Sequence, residues 1–104
     1  MALVTNHRWV VAIHGCGEPG ERVLLGGLDT ALIDDLALSL SRVDIVAEAV
    51  GHKYTGTCTK NICNMGITRT GVQFELSLPF RNGEQVPIFV AAVREVLLKR
   101  QNGA

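Results

Sequence analysis

Two side chains in this 104-residue sequence have the type and the setting to move protons, Glu75 and His14. Glu75 lies in the middle of GVQFELSL, Gly71 to Leu78, where Val72, Phe74, Leu76 and Leu78 alternate with Gln73, Glu75 and Ser77. That alternation is the pattern of a strand with one apolar and one polar face. One reading makes Glu75 an ordinary solvated carboxylate on a wet face. The other makes it a general base looking into a cleft. Glutamate is depleted in strands, and a charge on a strand covered on both faces must be paired, bound to metal or turned toward water. His14 closes the apolar run RWVVAI and precedes Gly15. Ligands of open α/β sheets bind at the carboxyl ends of strands, so His14 stands where a site would form, and imidazole is the commonest metal ligand. The structural alternative is a histidine hydrogen-bonded at a strand end.

Other reactive groups crowd into Gly51 to Thr70, GHKYTGTCTKNICNMGITRT, which has no sustained periodicity. Loops beyond about 12–15 residues are uncommon in compact domains unless functional or disordered. Arg69 is either a solvated loop end or a bidentate clamp for a substrate carboxylate. Asn61 and Asn64 either serve turns or bind substrate amides and carboxylates. Cys58 and Cys63 flank four residues, a spacing that metal knuckles allow, so a site drawn from His14, His52, Cys58 and Cys63 stays open. Cys16 lacks the orienting third group of a Cys–His nucleophile. No phosphate-loop pattern accompanies Gly26-Gly27, which leaves nucleotide binding without support.

Composition narrows the class. Ten basic and ten acidic residues cancel, and 47% of the chain is apolar, so it is neither disordered nor a basic nucleic-acid binder. No run is long enough to cross a bilayer, the N-terminus lacks a secretion-signal pattern, and three cysteines suit a reducing compartment. A cytoplasmic protein is expected, with no nucleic-acid or membrane partner. A chain of this length buries roughly two-thirds of the surface it would expose unfolded, enough for one domain.

The elements that must position these groups alternate. Arg8 to Ile13 reads as a strand covered on both faces, and RVLLGG as a second that stops at Gly26-Gly27. Asp29 caps a helix to Arg42 with Ala31, Leu32, Ile33, Leu36, Ala37 and Leu40 on its buried side. Val43 to Val50 is the third strand and Gly71 to Leu78 the fourth. Pro87 opens a closing helix whose buried side is Ile88, Val90, Ala91, Val93, Val96 and Leu97. The fold class is α/β, one domain with a mostly parallel or mixed sheet of about four strands and flanking helices.

Three stretches together, AIHGCGE, GGLDTAL and KNICNMGITRTGVQFELSLPFR, resemble the poly-γ-glutamate hydrolase family of phages and bacilli, whose members are zinc peptidases of carboxypeptidase-like fold. The likeness runs from about Trp9 to about Arg100. It implies that His14 is a zinc ligand and that Glu75 is the general base activating the zinc-bound water. It places Arg69, Asn61 and Asn64 near the cleft. It also implies that this chain corresponds to the C-terminal half of a zinc peptidase of αβα sandwich architecture, and that the other half carries the remaining two ligands.

Three functions follow from these readings. The first is zinc-dependent hydrolysis of γ-glutamyl amide linkages. The second is a non-catalytic domain that keeps the family fold and self-associates, because a sheet without its missing half leaves an open edge or an apolar patch. The third is a metal or redox module built on Cys58 and Cys63.

Overall fold

The computed structural model describes residues 10–56 and 62–103. Four strands, β1 (Val11–Cys16), β2 (Val23–Gly26), β3 (Ala47–Glu48) and β4 (Val72–Ser77), form one mixed sheet in the order β1-β4-β2-β3. β1 runs parallel to β4 and β2 parallel to β3, whereas β2 and β4 are antiparallel. Helices α1 (Thr30–Ser41), α2 (Leu78–Arg81) and α3 (Val86–Gly103) flank the sheet, and Ile62–Asn64 form a single 3₁₀ turn. This is the α/β class the sequence predicts.

The alternating strand is an inner one, and all six of its residues are buried. Val72, Phe74 and Leu76 enter the main core together with Val23 and Leu25 of β2, Leu32, Leu36 and Leu40 of α1, and Phe89, Ala92 and Val93 of α3. Phe89 sits edge-on to both Phe74 and Phe80, with ring centroids 5.0 and 5.7 Å apart. Burying each such side chain contributes about 1.5–3 kcal/mol, so this apolar face drives the docking of both long helices. The opposite face of β4 is not wet. Gln73, Glu75 and Ser77 are also buried, which removes the solvated-face reading of Glu75.

α1 forms where the sequence places it. Asp29 accepts a hydrogen bond from the Leu32 amide (3.1 Å), and its other carboxylate oxygen binds the Arg100 guanidinium of α3 at 2.7 Å. Ser77 ends β4 and caps α2, with Pro79 in the first turn; the sequence reading overlooked this short helix.

Three expectations need correction. β1 is the edge strand, with Ile13, His14 and Gly15 exposed, so it is not covered on both faces. The strand expected over Val43 to Val50 shrinks to two residues. Asp44 takes a left-handed backbone conformation (φ 61°) that breaks an extended run, and Val46 and Val50 face solvent. In α3 the buried stripe is set by Phe89, Ala92, Val93 and Val96, one step out of phase with the predicted one. Ile88 and Val90 are exposed. No helix among the described residues is long and apolar enough to cross a membrane.

Candidate functional site

His14 and Glu75 are far apart in sequence but face each other across the parallel β1–β4 ladder, where they are register partners. Paired residues on parallel neighbours share a sheet face, and the side chains meet there: His14 Nδ1 lies 3.3 Å from Glu75 Oε1. The imidazole is half-exposed, its side chain 45% accessible, whereas the Glu75 side chain is only 9% accessible. The carboxylate is therefore largely withdrawn from water, next to a ring that reaches it. No protein partner of His14 Nε2 is recorded among the described residues. If Nδ1 carries the proton toward Glu75, Nε2 presents its lone pair outward, the arrangement that orients ligating histidines.

The neighbours on this face are tied to the backbone. Gln73 Nε2 donates to Tyr54 O (3.3 Å). Ser77 Oγ donates to Gly20 O (2.6 Å) and accepts from the Arg22 amide (2.8 Å). Arg22 in turn forks onto Glu48 at 2.9 and 2.8 Å, and that hydrogen bonding holds the Glu48 carboxyl below its ordinary range.

The other expected site residues go elsewhere. Arg69 lies in the turn before β4, with φ 59° and its amide bonded to Gly66 O (2.9 Å). That is the amino end of β4, whereas His14 stands toward the carboxyl end of β1, so the backbone does not bring Arg69 to the pair. Asn64 is buried, and its amide is given to the chain. Oδ1 accepts from Leu28 N (3.2 Å) and Gly71 N (3.0 Å), and Nδ2 donates to Gly56 O (2.6 Å). It clamps the start of α1, the loop at Gly56 and the start of β4, a positioning role in place of the expected substrate contact. Asn61 lies outside the described residues, as does Cys58.

The four-residue alternative for a metal is not assembled. His52 spends both ring nitrogens, Nε2 on Leu25 O (2.8 Å) and Nδ1 accepting from Tyr54 N (3.0 Å). Cys63 is buried, and burial raises its thiol pKa, the opposite of a metal-binding or nucleophilic thiolate. Among the described residues no three His, Cys, Asp or Glu side chains come together. A catalytic zinc takes three protein ligands, so the described residues do not by themselves fit one.

Sequence reasoning missed Arg81. Its guanidinium lies against Gly15, the residue after His14: a Cβ built on Gly15 would meet Cζ at 2.8 Å and the two terminal nitrogens at 3.0 and 3.1 Å. The available signal was a Ser-capped Pro-containing turn carrying an arginine just beyond the Glu75 strand. The largest groove, about 900 Å³ between α1 and α3, is lined by helix residues such as Asp35, Leu38, Glu95 and Lys99. It lies on the helix-covered side of the sheet, away from His14 and Glu75.

With this geometry in place, comparison with known proteins assigns the lineage. The sequence model of the poly-gamma-glutamate hydrolase family matches residues 1–86. The chain belongs to this family. A curated relative, protein YndL of Bacillus subtilis (strain 168), is 29% identical over 83 residues, which are 78% of this chain and 33% of YndL. A solved bacteriophage poly-gamma-glutamate hydrolase superposes with TM-score 0.90 at 22% identity, covering 99% of this chain and 58% of that one. A zinc-free apo structure of YndL superposes with TM-score 0.82 at 24% identity, covering 91% and 56%. At such identities the two structures establish a shared fold. The chain spans about a third of the curated relative.

Proposed function

We propose that this chain carries the proton-transferring part of a γ-glutamyl amide hydrolase. The observation that supports the reading is the His14–Glu75 pair, set in register on one sheet face of a chain that belongs to the poly-gamma-glutamate hydrolase family. In amide hydrolysis a water oxygen bonds to the carbonyl carbon while the C–N bond breaks. Glu75 would accept the proton that the water loses and return it to the departing amine. A largely desolvated carboxylate suits that task, because the shielding that strips water from it also raises its affinity for a proton. His14 would hold Glu75 through Nδ1 and offer Nε2 as one zinc ligand, with the other ligands drawn from outside the described residues.

The test is release of short γ-glutamate oligomers from poly-γ-glutamate by the purified chain, alongside zinc content by elemental analysis. Glu75→Gln should lower kcat by about 10²–10⁴-fold with little change in KM, the range for loss of a general acid–base group. Cleavage that survives Glu75→Gln, or that acts on α-linked but not γ-linked glutamate, overturns the proposal.

A second reading is that the chain works without turnover as a self-associating domain. The exposed edge strand β1 and the solvent-facing Ile13, Val90 and Leu98 beside it favour this reading. Its occupant would be a second copy, pairing edge to edge.

A further inference from the structure

We infer that Arg81 is a specificity residue that grips an α-carboxylate of the γ-glutamyl chain beside the His14–Glu75 pair; this rests on the hydrolase reading above. Four observations converge on it. Arg81 is exposed and closes α2, the short helix that starts where β4 ends, six residues beyond Glu75. Ser77 caps that helix and is itself bonded to the backbone of Gly20 and Arg22, so the base of the arginine is held firmly at the carboxyl end of the sheet. Its guanidinium rests on Gly15, whose backbone does not need glycine for a positive φ, so the close approach of Arg81 is the recorded demand on this position. Finally, all ten Asp and Glu residues lie in the described part of the chain, and none is recorded in an ion pair with Arg81; the other clefted arginines, Arg22 and Arg100, are each paired with a carboxylate.

A planar guanidinium with open donors, parked on a glycine one residue from a catalytic pair, is a receptor for a carboxylate. Neutral peptides offer no such group in mid-chain. A γ-linked glutamate polymer offers one on every residue, because the side-chain carboxyl forms the linkage and leaves the α-carboxyl free. Gly15 and His14 point to opposite faces of β1. The polymer would therefore cross the open edge of the sheet, with its scissile amide on the His14 side and a neighbouring carboxylate on the Arg81 side. The edge position of β1 leaves room for that path.

The experiment uses the full chain carrying Glu75→Gln, so that ligand is bound and not cut, and follows the anisotropy of fluorescein-labelled oligo-γ-glutamate. Arg81→Ala should weaken binding about ten- to a hundredfold, the loss expected for one charged hydrogen-bonded contact. Arg81→Lys should recover part of it. Gly15→Ala should also weaken binding while leaving the thermal midpoint nearly unchanged, since it displaces only the tip of a flexible side chain. The same oligomer with its α-carboxylates converted to amides should bind the starting protein as weakly as it binds the Arg81→Ala protein. Arg42→Ala, which removes one positive charge from the end of α1, should leave binding unchanged. Equal binding by Arg81→Ala and the starting protein, or equal loss in Arg42→Ala, overturns the inference and leaves the hydrolase reading standing. Hydrolysis is assayed separately with Glu75 intact: binding through Arg81 without any cleavage overturns the hydrolase reading alone. Failure of the folded starting protein to bind the carboxylate oligomer overturns the inference.

Discussion

Glu75 is an expensive residue to keep where it is. A carboxylate with 9% of its side chain accessible has given up most of its hydration, and the recorded compensation is one imidazole at 3.3 Å. A group placed for stability would be expected to collect several short hydrogen bonds, as Asp29 does from Leu32 and Arg100. Glu75→Gln keeps the shape, removes the charge and should raise stability by about 1 kcal/mol, read as a higher thermal midpoint, because unmaking a poorly compensated buried charge is neutral or favourable. A lower midpoint would mark Glu75 as a structural residue. The thiols lead to a different expectation. Cys63 is fully buried with a raised pKa, and Cys16 is also buried. Cys63 should resist alkylation in the native protein and react only after unfolding, with mass spectrometry locating the adduct; rapid native labelling would contradict its burial.

At the scale of elements, Asn64 is the link between the loop and the site. Its carboxamide holds the amides of Leu28 and Gly71 and the carbonyl of Gly56. Gly71 itself passes so close to the Cys63 carbonyl that no side chain would fit there. Replacing Asn64 by Ala strands at least two amides away from water and should cost about 2–4 kcal/mol by denaturant titration. Because the same contacts set where β4 begins, the His14–Glu75 register should loosen with it. The Arg22–Glu48 fork joins the start of β2 to β3. The folded pKa of Glu48 is lowered, so the stability it adds is present above its unfolded pKa of about 4.3 and is lost as pH falls through the lower folded value. Between neutral and acid pH, the thermal midpoint of the parent should therefore fall further than that of Glu48→Gln. The difference should be modest, because the pair is partly solvated.

At the scale of the whole molecule, the sheet ends in an edge strand that carries a functional candidate. Ile13 on β1 and Val90 and Leu98 on α3 share one apolar hollow of about 270 Å³ and are 55%, 52% and 44% exposed. If self-association uses this edge, light scattering should give a mass that grows with concentration, and Ile13→Lys should return the chain to monomer while the far-ultraviolet spectrum stays unchanged. A monodisperse parent would remove the second reading.

Sequence alone was enough for the alternation of β4, the capped helix from Asp29 and the two residues best suited to proton chemistry. Each of these rests on local rules: side-chain period, capping chemistry and the cost of a charge within a strand. Local rules also account for where the reading failed. The apolar Val43–Val50 run reads as a strand until Asp44 turns the backbone left-handed, and the polar side of β4 reads as wet until a distant loop covers it. Tertiary structure decided that His14 and Glu75 share a face, because only strand order and register set which residues become neighbours across a sheet. It also moved the carboxylate-binding arginine from Arg69, at the amino end of β4, to Arg81, at the carboxyl end. Residues on either side of one strand can look equally close in sequence, and the length of the strand itself holds them apart in space.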